Sequence, residues 1–118
     1  MNSRLTPFHY LSTDPVNIAA AEELAAARGL DLDLLELAEP RDMPRIEKQN
    51  ALLIVDWDHI PPDYRDRVLD SPALRVVAIH GYGVSDSVAR FLPRRGILYF
   101  KRLGPELFRR LDDLEPAA

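Results

Sequence analysis

Ala51-Leu-Leu-Ile-Val55, Arg75-Val-Val-Ala-Ile79 and Gly96-Ile-Leu-Tyr-Phe100 are short apolar runs that recur about every twenty residues, with a helix-like segment in each gap. Strands covered on both faces by crossover helices read as continuous Val, Ile and Leu, whereas strands with one wet face alternate apolar and polar residues. The three runs therefore predict the buried strands of a parallel α/β sheet.

Toward the N-terminus, Phe8-His-Tyr-Leu11 reads as a first strand. Thr13 or Asp14 is placed to cap a helix that has Pro15 in its first turn and runs to Arg28. Ile18, Ala21, Leu24 and Ala25 form its apolar face, and Gly29 supplies the stop. Leu30-Asp-Leu-Asp-Leu34 alternates with period two, which marks a strand at a sheet edge. The proline- and charge-rich stretch from Pro40 to Asn50 leaves room for one short helical turn around residues 44–49.

Toward the C-terminus, Asp56-Trp-Asp-His-Ile60 reads as a loop, and Pro61-Pro-Asp63 opens a helix that turns Tyr64, Val68 and Leu69 inward. After Ile79 comes His80-Gly-Tyr-Gly83, then a helix capped by Ser85 with Val88, Phe91 and Leu92 inward. Gly96 is expected to open the fifth strand. Gly104-Pro105-Glu106 opens the last helix, whose Leu107, Phe108, Leu111 and Leu114 share a face, and residues 115–118 read as a fraying tail. Five βα units with right-handed crossovers, strand two alternating and the others buried, predict one domain over residues 1–118. The expected sheet is doubly wound and flavodoxin-like, with strand order 2-1-3-4-5 and helices on both faces. In that arrangement the ligand crevice lies at the C-terminal ends of strands one and three. Ser12, Thr13, Asp14, Asp56, Asp58, His59 and His80 are expected to gather there.

The 118 residues suit a single core, and 47% hydrophobic with 29% charged residues is ordinary for a globular protein. The absence of cysteine excludes disulfides and thiolate chemistry. No stretch approaches the ~20 apolar residues of a membrane span, and Met1-Asn-Ser-Arg-Leu-Thr-Pro7 lacks the apolar core of a signal peptide, so the expected location is cytoplasmic. The net charge of −4 argues against nucleic acid as the partner, but it is unevenly distributed. Residues 1–89 carry 15 acids and 8 Lys or Arg, while residues 90–118 carry 4 acids and 7 Lys or Arg. A basic surface on an acidic protein reads either as a solvated helical face or as a docking surface for an acidic protein.

Asp56, directly after a buried strand, is positioned as a nucleophile, a cation ligand or a loop-solvated acid. Mg²⁺ prefers carboxylates in near-octahedral array, for which Asp14, Asp56 and Asp58 are the candidates. Strand one ends in the neutral Ser12 and Thr13, so any Mg²⁺ binding is expected to be weak and no cofactor is assigned. His80 reads as a base, a ligand or a hydrogen-bonded loop residue. Lys101, ending strand five, is placed to pair with Asp56 or to stay in water. Trp57 suits a pocket wall or the core. His80-Gly-Tyr-Gly83 is neither G-x-G-x-x-G nor a Walker motif, and no serine has a nucleophile-elbow context.

Ala51 to Pro61 resembles the third strand, phosphoacceptor aspartate and following loop of the response-regulator receiver domain of two-component signal transduction. Leu69 to Ile79 and Ile97 to Leu107 are similar to that family's fourth strand and to its fifth strand with conserved lysine, at Lys101. The resemblance implies Asp56 as acceptor. The departures fall on the chemistry: the metal-binding acidic pair after strand one is Ser12 and Thr13, the hydroxyl residue after strand four is His80, and the proline after the lysine is Arg102. Such a chain looks like a degenerate member, a pseudo-receiver. A shorter stretch, Ser71 to Val84, is similar to the substrate domain of D-2-hydroxyacid dehydrogenases, but their dinucleotide loop is absent.

The resemblance implies a non-enzymatic signalling or scaffold module. Its contact face would be the helix before strand five, strand five and the last helix, with Arg90, Arg94, Arg95, Tyr99, Arg102, Arg109 and Arg110 meeting an acidic protein or a second copy of the chain. The alternatives are an atypical phosphoacceptor at Asp56, with Lys101 sensing the phosphoryl group, and a small enzyme using Asp56 and His80.

Overall fold

A computed structural model describes residues 8–28, 32–36, 52–70 and 75–114, with backbone alone for 32–36 and 112–114. The described residues form an α/β fold with a parallel sheet. Its strands are β1 (Phe8–Ser12), β2 (Leu32–Glu36), β3 (Leu52–Asp56), β4 (Arg75–His80) and β5 (Leu98–Phe100), hydrogen-bonded in the order β2-β1-β3-β4-β5. The helices are α1 (Pro15–Ala27), α2 (Pro62–Asp70), α3 (Asp86–Phe91) and α4 (Pro105–Leu114). Among the described residues no helix is long and apolar enough to cross a membrane.

The apolar runs become strands because both of their faces are covered. Every residue of β1 is buried, as are Leu53 to Asp56 of β3. Alternate side chains go to opposite layers. Leu11, Leu53, Val55 and Ile79 pack with Tyr64 and Val68 of α2, and with Leu92 and Ile97. Phe8, Tyr10, Ile54 and Ala78 pack on Ala21 and Ala25 of α1 and on Leu107, Phe108 and Leu111 of α4. Full burial of a side chain such as Leu, Ile or Phe contributes about 1.5–3 kcal/mol, so these two layers supply the main stabilising term.

Several local expectations change. The segment Asp56 to Ile60 is not an open loop: Asp56 completes β3, Trp57–His59 forms a 3₁₀ turn, and Trp57 and Ile60 are buried. Gly96 does not open a strand. It adopts a left-handed conformation (φ 75°) that closes the 3₁₀ turn Leu92–Arg95, and β5 begins at Leu98. Phe91 does not face inward but is 36% exposed, because α3 is only six residues long and the tighter winding that follows brings Leu92 to the core instead. The helical turn expected around residues 44–49, the wet face of strand two and the tail at 115–118 lie outside the described residues.

Strand register sets the chemistry in a row. Asp56 pairs with His80 across β3 and β4, and β1 carries Ser12 to the same end of the sheet. The polar residues that end these strands therefore share the C-terminal edge.

Candidate functional site

Asp56 is the hub of that edge. Its side chain is 1% exposed, and Oδ2 accepts hydrogen bonds from Ser12 Oγ (2.8 Å), Asn17 Nδ2 (2.9 Å) and His59 Nδ1 (2.9 Å). Each donor has a local reason to be present. Ser12 ends β1, Asn17 lies in the first turn of α1, and the 3₁₀ turn brings His59 back over Asp56 at a spacing of three. A carboxylate only accepts, so His59 carries its proton on Nδ1 and leaves Nε2, 3.9 Å from Asp14 Oδ2, on the outer side. The two loops are tied together as well: the Thr13 amide (3.0 Å) and hydroxyl (2.6 Å) both donate to the His59 carbonyl oxygen.

Beneath this clasp lies a second pair. The Tyr10 hydroxyl is 2.7 Å from His80 Nε2, and the two rings stack with centroids 5.7 Å apart and planes inclined by 8°. Burial, helped by the negative charges of Asp56 and Asp14, pushes the Tyr10 phenol far above its ordinary range, so it stays protonated. Burial also lowers the pKa of His80, against the pull of Asp56 and Asp58. A neutral imidazole that accepts from Tyr10 at Nε2 carries its hydrogen on Nδ1, and we assign this tautomer. Nδ1 then faces Asp56 Oδ1 at 3.9 Å.

Asp58 has a different task. Its Oδ2 and Oδ1 accept from the amides of Tyr82 and Gly83, each at 2.8 Å, and so clamp the turn after β4. The same turn is held from the other side, because Gly81 donates its amide to the Phe100 carbonyl (3.1 Å) and accepts from the Tyr99 hydroxyl (3.1 Å). The clamp explains the glycine at position 83, where a Cβ would stand 2.7 Å from Asp58 Oδ1. Gly83→Ala is expected to break both amide–carboxylate bonds and to lower stability by about 1 kcal/mol, since hydrogen bonds to charged groups carry roughly that much or more when partly exposed. Urea unfolding is the measurement, and an unchanged midpoint would show the clamp to be slack.

Asn17, Asp56, His59, His80, Lys101 and Arg102 line a cleft of about 280 Å³. The expected trio of Asp56, His80 and Lys101 is thus brought to one place, but Lys101 has no ion pair among the described residues. The suggested Mg²⁺ ligands do not converge. Asp56 Oδ2 is engaged three times, both oxygens of Asp58 face backbone amides, and Asp14 Oδ1 caps α1 at the Val16 amide (3.4 Å). Among the described residues no three His, Cys, Asp or Glu side chains cluster so as to hold a metal ion.

The basic candidates are scattered. Arg90 and Arg94 line a shallow hollow of about 350 Å³ with Ser87 and Phe91, and the Arg95 guanidinium lies 5.3 Å over the Phe91 ring. Arg102 lines the Asp56 cleft, Arg109 pairs with Glu106, and the Tyr99 hydroxyl is bound to Gly81. Arg110 is exposed on α4. Sequence reading passed over Asn17 and Tyr10. Asn17 lies two residues after Pro15, where only the geometry of the first turn points it back at β3, and Tyr10 is hidden inside an apolar run.

Comparison of the chain with protein-family models, with curated proteins and with solved structures finds no match. What stands is an α/β protein with a clasped aspartate at the C-terminal edge of its parallel sheet.

Proposed function

We propose that this chain is a non-catalytic signalling module of pseudo-receiver type, with a flavodoxin-like strand order, acting through protein–protein contact. The observation that carries the reading is the state of Asp56. Transfer of a phosphoryl group needs an accessible carboxylate oxygen and a cation beside it, yet Oδ2 receives three internal hydrogen bonds and the residue is 1% exposed. His80 turns one ring nitrogen to Tyr10 and the other toward Asp56, which suits a structural imidazole better than a base. The contact face favoured by the geometry is narrower than the sequence suggests. Arg90, Arg94 and Arg95 surround the half-exposed Phe91, a combination of positive charge and aromatic surface that fits an acidic protein partner.

A second reading, an atypical phosphoacceptor at Asp56, draws on one observation: Asp56 and Lys101 line the same cleft. An amide NMR titration with Mg²⁺, then with Mg²⁺ and beryllofluoride as a phosphoryl mimic, separates the two. The binding module is expected to leave the resonances of Asp56, residues 78–81 and Lys101 in place. Saturable shifts centred on those residues would favour the phosphoacceptor.

A further inference from the structure

Tyr82 is 70% exposed, a large aromatic side chain standing in water on a turn that is anything but loose. Its own amide is held by Asp58, the next amide is held by the same carboxylate, and Gly81 is pinned to β5 through Phe100 and Tyr99. A rigid mount for an exposed ring removes the ordering cost that a flexible loop incurs on binding.

The ring forms one side of a cleft of about 650 Å³, also lined by Phe100, Lys101, Arg102, Leu103 and Pro105, within the roughly 300–1,000 Å³ typical of small-molecule sites. Lys101 and Arg102 are exposed and have no hydrogen bond or ion pair among the described residues. The negative groups nearby are already engaged: Glu106 pairs with Arg109, Asp58 holds the two turn amides, and Asp56 holds its three donors. The cleft lining therefore combines the aromatic rings of Tyr82 and Phe100, the apolar Leu103, and two cations that make no ion pair among the described residues. Arginine and lysine in that setting favour carboxylate or phosphate groups, and the guanidinium also stacks on flat rings.

We propose that the cleft between Tyr82 and Pro105 binds a small aromatic anion, its ring against Tyr82 and Phe100 and its carboxylate or phosphate on Lys101 and Arg102. The site goes beyond the protein-contact reading above and uses none of the Arg90, Phe91 and Arg94 face.

The test is an amide NMR titration of the full chain with 1-naphthyl phosphate, with 1-naphthol and inorganic phosphate as the two halves of the probe. The expected result is saturable shifts at residues 81–83 and 100–104, with each half binding at least roughly tenfold more weakly, because ring and anion are each needed. The Lys101→Glu, Arg102→Glu double variant is expected to lose binding by a similar factor, while Arg90→Glu is expected to keep it. Both replaced side chains are exposed and make no ion pair among the described residues, so the fold should survive, and Tyr82→Ala provides a second variant that spares the charges. Shifts centred on Phe91, equal binding of 1-naphthol, or an undiminished double variant would each overturn the proposal.

Discussion

Asp56→Ala is expected to destabilise the fold by about 3 kcal/mol and to lower the melting temperature by roughly 12 °C, a shift of about 4 °C per kcal/mol being usual for a chain of this size. The replacement strands three donors at once: Ser12, which is fully buried, and Asn17 and His59 at the cleft wall. Hydrogen bonds to a charged group contribute ~1.5–3 kcal/mol each, but Asn17 and His59 can turn to water, so the total falls below the sum. Asp56→Asn keeps the shape and one acceptor oxygen and is expected to cost about a third as much. Thermal unfolding followed by circular dichroism measures both. A loss under about 1 kcal/mol for the alanine variant would mean that the clasp is ornamental and that Asp56 is kept for chemistry.

Acid is expected to weaken the protein through His80. Burial holds its folded-state pKa below the ordinary 6.5, so between that lowered value and about 6.5 the unfolded chain binds more protons than the folded one. Stability therefore rises with pH across this window: the contribution is complete above about 6.5 and is lost as pH falls, by up to ~1.4 kcal/mol per pH unit. His80→Gln, which can still accept from Tyr10, removes the titrating group. Urea unfolding at pH 7.5 and pH 5.5 should show a marked loss for the natural chain and a smaller one for the variant. Parallel losses would place the acid sensitivity elsewhere.

These outcomes bear on what a sequence can disclose. The buried strands were legible at Ala51 to Val55 and Arg75 to Ile79 because burial on both faces leaves an unbroken apolar run. Asp56 was legible as the polar residue that ends one of them. Its condition was not. Whether an aspartate at a strand end is free or clasped depends on Ser12 and Asn17, which lie 44 and 39 residues away and join it only through the pairing of β1 with β3. The geometry makes Asp56 a structural hub rather than a loop-solvated acid. Phe91 was misread for a local reason, since a helix of six residues that tightens at Leu92 does not keep the period its first turn announces. Asp58 had looked like a cation ligand. Its real partners are backbone amides, which no pattern of side chains can signal.

Trp57 is the chain's one tryptophan, it follows Asp56 directly, and it is buried with its carbonyl oxygen gripped by Arg65 (3.1 and 2.8 Å) and that guanidinium 5.2 Å from its ring. The protein thus has a single indole fluorophore, placed at the clasp. Indole emission, excited apart from the tyrosines, reports on the neighbourhood of Asp56, while the far-ultraviolet dichroism of the helices reports on the whole. When the two signals are followed in one experiment, local release of the C-terminal edge and collapse of the entire fold become separate optical events.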